Sequence, residues 1–169
     1  MSYPPPYPPV RYHPGQGTVS AAFRPADAPQ DLVNTRGGGV AYLAPASLTD
    51  GDYGMFRWDM GAAPSGPALH FHRTMSEAFY VLSGRVLLED GQRTVEAGPG
   101  DFLYVPPGGL HAFRNESGEP ASMLMIFAPG APREAYFEEL VEIERSGREL
   151  GPDEWTDLYA RHDQYMVQT

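Results

Sequence analysis

Cysteine is absent from all 169 residues, which excludes disulfides and thiolate metal sites alike. That absence fits a reducing compartment and gives the expectation of a cytoplasmic protein. Basic residues are outnumbered: 12 Lys and Arg against 22 Asp and Glu leave a formal net charge of −10. Phosphate recognition needs a basic face, so neither nucleic acid nor an anionic membrane surface is an expected partner. No apolar run reaches the roughly 20 residues that span a bilayer, and prolines stand where a signal peptide carries its apolar region. No Gly-x-Ser-x-Gly, phosphate loop or dinucleotide fingerprint appears. The length suits one domain with accessory segments and is sufficient for a real core.

Composition divides the chain in three. Residues 1–30 are rich in proline and tyrosine, and proline gives no ladder donor, so an extended, polyproline-like or disordered tail is expected. Two readings stand for it: a solvated tail, or an arm across a partner subunit with Tyr3, Tyr7 and Tyr12 as anchors. Residues 31–129 carry short β runs at 40–43, 53–60, 68–72, 78–82, 85–89, 93–96, 102–105, 111–115 and 122–127. Breakers separate them, among them Asp90-Gly91, which predicts a two-residue hairpin with a type I′ turn. Many short strands without intervening helices predict an all-β, antiparallel sandwich or barrel.

Residues 130–169 change to a helical pattern. Pro132 suits the first helical position, and Tyr136, Phe137, Leu140, Val141 and Ile143 make an apolar stripe over 133–145. A second helix is predicted over 152–162, with Trp155, Leu158 and Tyr159 as its apolar face. Such helices either pack outside the sheet or form a lid over the barrel mouth.

The chemistry concentrates in two short segments. His70 and His72 stand two apart and so share one face of a strand. Glu77 follows after a polar stretch that can turn the chain, and His111 arrives from a separate hairpin about forty residues later. Three imidazoles and one carboxylate suit a single divalent transition metal ion: Fe, Mn, Ni, Co, Cu or Zn. Ligand type does not choose among these. Four protein ligands on an octahedral ion leave two positions for substrate, water or O₂.

The segments His70-x-His72-x4-Glu77-x6-Gly84 and Gly100-x5-Pro106-x-Gly108-x2-His111-x3-Asn115 resemble the two motifs of the cupins. The second motif fits at every fixed position. The first departs where the family usually has glycine six residues before the first histidine; here Pro64 stands, with Gly61 and Gly66 nearby. The resemblance covers roughly residues 35–128. It implies a double-stranded β-helix (jelly-roll barrel), the metal set His70, His72, Glu77 and His111, and a homodimer paired through sheet edges. The C-terminal helical segment adds a resemblance to the flavonol (quercetin) dioxygenase-like cupins. That implies a metal-dependent oxygenase for a small aromatic or enol-containing substrate, with Glu77 both ligand and catalytic base.

Strand parity extends the candidate site. Glu77 facing inward brings Phe79 and Val81 to its face, and His111 brings Phe113. Phe56 and Trp58 share a face, as do Phe102 and Tyr104, or Met125 and Phe127, without parity saying which face. Phe79, Val81, Phe113, Phe56, Trp58 and Tyr104 are thus candidate pocket residues for a flat or hydrophobic ligand, or ordinary core. Two functions compete with the oxygenase. One is a non-oxidative isomerase, cyclase or decarboxylase using the metal as Lewis acid; the other is a non-catalytic small-molecule-binding protein.

Overall fold

In the last long strand, Ala121, Met123, Met125 and Phe127 are buried while the residues between them are half-exposed, so period-two alternation turns one face to a core. The computed structural model describes residues 7–13 and 15–167; Tyr3 and Pro14 of the proline-rich tail lie outside them. In chain order the elements are β1 (Leu32–Val33), β2 (Gly39–Ala44), α1 (Ala46–Thr49), β3 (Gly54–Met60), β4 (His70–Phe71), β5 (Ser76–Ser83) and β6 (Val86–Glu89). There follow β7 (Thr94–Ala97), β8 (Phe102–Val105), β9 (Ala112–Arg114), β10 (Ala121–Ala128), α2 (Arg133–Ser146), α3 (Pro152–Arg161) and β11 (Tyr165–Met166).

The strands pair antiparallel in two main sheets, β1-β2-β3-β10-β5-β8 and β7-β6-β9, with β11-β4 as a short third. Their inner faces share one core. Phe79 of the larger sheet meets Phe113 of the smaller at 5.5 Å between ring centroids, and Val81, Val86, Leu88 and Met123 fill the space around them. This is the antiparallel jelly-roll arrangement that the strand pattern and motifs led us to expect. Each of the nine expected β runs holds a strand, with ends shifted by a few residues. The strands β1 and β11 and the single turn of α1 were not foreseen, and the last element among the described residues is therefore a strand, not a helix.

Two local expectations change. Gly91 alone takes positive φ (84°) in the β6–β7 connection, so the turn is not type I′; glycine leading with a positive φ is the pattern of type II′. Pro132 caps α2 from outside, and Arg133 is its first helical residue.

The helices close one end of the sandwich. Phe137 of α2 packs edge-on against Phe56 at 5.3 Å and Trp58 at 5.1 Å, both on β3. Leu158 of α3 is buried, while Trp155 and Tyr159 pack against the core more loosely. Before Leu32 the described tail forms no helix or strand, and Tyr7 and Tyr12 are exposed. No helix among the described residues is long and apolar enough to cross a membrane.

Candidate metal centre

The two motif segments are hydrogen-bonded to each other. His70 and His111 form an antiparallel bridge, with N–H to O distances of 3.0 and 2.9 Å in the two directions. The Gly108 amide donates to the His72 carbonyl at 2.7 Å from a φ of 81°, a backbone state that L side chains rarely adopt. Glu77 enters from the start of β5, opposite Val105. His70, His72, Glu77 and His111 are all buried, and one ligand atom from each lies within 4.8 Å of all the others.

Each imidazole is held by its far nitrogen. Nδ1 of His70 donates to the Ala68 carbonyl at 2.8 Å, that of His72 to the Asp163 carbonyl at 2.6 Å, and that of His111 to the Gly109 carbonyl at 3.0 Å. A carbonyl only accepts, so the proton sits on Nδ1 and Nε2 keeps its lone pair for the centre. Backbone partners of this kind orient metal-binding histidines. Nε2 of His72 and of His111 face Glu77 Oε2 at 3.0 and 2.8 Å. Lone pairs this close repel unless a cation sits among them, so the donor set fits a divalent transition ion.

The electrostatics agree. Burial first, and then the neighbouring His111, push His70 down to about 3, so its ring is neutral near pH 7. Burial raises the Glu77 carboxyl, and when His111 and His72 also carry a proton on Nε2 their hydrogen bonds to it outweigh burial and hold Glu77 below the ordinary carboxylate range. A metal ion takes the place of those two protons, leaving neutral imidazoles and an ionised Glu77 as its ligands.

A cavity of about 510 Å³ runs from His70 and Glu77 outward beneath α2 and α3. Trp58, Phe113 and Met125 line its barrel side, and Tyr136, Phe137 and Trp155 line its helical side. The helices therefore roof the site, which decides between the two placements open from sequence. Of the six candidate pocket residues, Trp58 and Phe113 line the cavity. Phe56, Phe79 and Val81 are fully buried in the core behind it, with the Phe79 ring 5.9 Å from that of His111.

Tyr104 requires a correction. It is 57% exposed, because directly paired residues share a face: Val105 lies opposite inward Glu77, so Tyr104 and Phe102 point out. Sequence reasoning also missed Arg133, Gln164 and Asp163. Arg133 and Gln164 are buried and line the cavity, and Asp163 holds His72. A signal existed for Arg133, which continues the Tyr136–Phe137–Leu140 stripe backwards at helical spacing, where a charge is out of place.

Residues 56–127 match the family model described as a cupin domain. Those residues resemble a cupin domain. Over 61 residues the chain is 33% identical to quercetin 2,3-dioxygenase of Bacillus subtilis, a match that covers 36% of this chain and 18% of that enzyme. The chain thus spans less than a fifth of the length of that relative. Among solved structures, a predicted oxalate decarboxylase of Thermotoga maritima superposes with a TM-score of 0.56 at 20% identity, covering 64% of this chain and 99% of that one. Ectoine synthase of P. lautus gives 0.53 at 19%, covering 64% and 76%. At these identities the structures establish a shared cupin fold. The chain resembles the quercetinase-like cupins.

Proposed function

We propose that this protein is a metal-dependent oxygenase acting on a small aromatic or enol-containing compound. The observation that carries the reading is the joining of a buried three-histidine, one-glutamate group to a cavity walled by Trp58, Phe113, Tyr136, Phe137 and Trp155. The partial similarity to a quercetin 2,3-dioxygenase supports it. His70, His72, Glu77 and His111 would hold one divalent transition ion, of Fe, Mn, Ni, Co, Cu or Zn. When bound, that ion supplies Lewis acidity and, if redox-active, electrons for chemistry with O₂.

The chain's own residues do the rest. The aromatic walls bind and orient a flat ligand, and the roof of α2 and α3 excludes water from it. Glu77 faces the cavity and meets His72 and His111 through Oε2, so Oε1 is the atom that takes the proton of a substrate hydroxyl.

The test is O₂ consumption by protein loaded in turn with iron, nickel, manganese and zinc, against flavonols and β-diketones, with metal content measured on the same samples. Uptake that depends on a redox-active ion is the expected result. No uptake with a filled site sinks the oxygenase. Turnover under anoxia with zinc would instead identify a non-oxidative isomerase, cyclase or decarboxylase.

A further inference from the structure

A charged side chain is buried in the roof of the cavity without a charged partner. Arg133 is 4% exposed, and its guanidinium lies 4.2 Å from the Tyr136 ring centroid, with Phe127 and Phe137 at 5.2 and 5.5 Å. Nη1 donates to the His162 carbonyl at 2.8 Å and Nη2 to Gln164 Oε1 at 3.3 Å, both neutral acceptors. Nε is buried and has no partner. Among the described residues Arg133 joins no ion pair.

A guanidinium stays protonated even when buried, so it cannot escape the cost of desolvation by losing its charge. Aromatic faces recover part of that cost, and two carbonyl oxygens recover more, but an unpaired charge and an idle N–H remain. Glu77 lines the same cavity and its charge is felt by Arg133, but the two form no ion pair, and the metal ion that its group would hold draws on that charge. A divalent ion held there leaves the cavity with a net positive charge. What is missing is an anion beside Nε.

We propose that Arg133 is a carboxylate-binding residue of the cavity, and that the compound bound beside the metal group is an aromatic acid. The proposal rests on the cavity being the substrate site and narrows the substrate class. The free Nε–H and the weakly engaged Nη2 make the two-pronged donor that matches a carboxylate, while Trp58, Phe113 and Trp155 receive the ring. Ser65 Oγ, also buried without a partner on this cavity, offers a second hydrogen bond to the ligand.

The chain has two tryptophans, Trp58 and Trp155, and both line this cavity, so intrinsic fluorescence reports binding there. Zinc-loaded protein is titrated with 3-phenylpropanoate and with its neutral isostere 3-phenylpropanamide. The wild type is expected to bind the acid about tenfold or more tighter than the amide. Arg133→Met is expected to bring the two within about twofold, with the acid losing far more affinity than the amide, and Arg133→Lys, with charge but no fork, to keep only part of the preference. A wild type that binds acid and amide equally, or binds no acid, overturns the proposal. So does an Arg133→Met protein that keeps the preference, or one that loses both ligands equally, since that marks a staple between α2 and the segment after α3. If Arg133→Met does not fold, an undiminished preference in Arg133→Lys overturns it. Acid preference without O₂ uptake under any metal would sink the oxygenase and leave this inference standing; uptake with indiscriminate binding does the reverse.

Discussion

The Asp163 backbone carbonyl accepts the Nδ1–H of His72 at 2.6 Å, across 91 positions of sequence. The segment just after α3 thereby sets the tautomer and ring orientation of a residue in the metal group. Asp163 is fixed in turn by its own carboxylate, which accepts from the Arg73 amide at 3.0 Å, the Thr74 amide at 2.9 Å and the Thr74 hydroxyl at 2.6 Å. It does so at a positive φ of 54°. Asp163→Ala removes all three acceptor contacts and leaves at that φ a residue without the local hydrogen bonds by which aspartate tolerates it. Outer partners of metal-bound histidines are commonly worth about 10–100-fold in affinity. We therefore expect Asp163→Ala to bind zinc about tenfold more weakly in a chelator competition. Unchanged affinity would show that the carbonyl position does not depend on the carboxylate.

Glu77→Gln keeps the side-chain shape and removes both the charge and the basic oxygen. A positioned general base contributes about 10²–10⁴-fold, so turnover is expected to fall at least about a hundredfold. Metal content of the same sample must be measured, because Glu77 is also in the ligand group. A variant that retains metal and full turnover would remove Glu77 from the chemistry.

Gly66 has a φ of 132°, and a Cβ there would lie 2.0 Å from the Phe113 carbonyl oxygen and 2.9 Å from the Arg114 Cα. Backbone on both sides of that contact cannot give way cheaply, since Ser65 is bridged to Asn115 next door. Gly66→Ala is expected to cost about 2 kcal/mol or more in urea unfolding. Gly98, with open space around it, is the control, and its alanine variant should unfold near the wild-type midpoint. Equal midpoints for the two variants would refute the close approach.

What could be read in advance, and what could not, follows from the range of the interactions. The two-residue period of a strand brings His70 and His72 together, and that is legible locally. Gly108 is legible because its turn needs a backbone that glycine supplies. Asp163 was invisible: the atom that orients His72 is a backbone carbonyl, which every residue type possesses. The pairing of β11 with β4 is equally silent, since Tyr165 and Met166 form a strand only because Phe71 and His70 offer an edge. Parity showed that Phe102 and Tyr104 share a face, but an aromatic pair on an edge strand carries no sign of which face is wet.

That outward pair leads to the last expectation. β8 ends the six-stranded sheet, so among the described strands one of its edges has no neighbour. Above that edge Phe102 and Tyr104 are 59% and 57% exposed, with Tyr80 of β5 paired beside Phe102 and also exposed. An open edge topped by aromatic side chains invites a further strand, and a second copy of this chain brings an identical edge and an identical stripe, as a two-fold interface requires. We expect a homodimer with twice the single-chain mass by light scattering. Replacing Phe102 and Tyr104 together by glutamate places like charges across the two-fold axis and should give a monomer with unchanged circular dichroism. A wild-type protein that is monomeric across the concentration range, or a doubly substituted one that stays dimeric, would refute pairing through this edge.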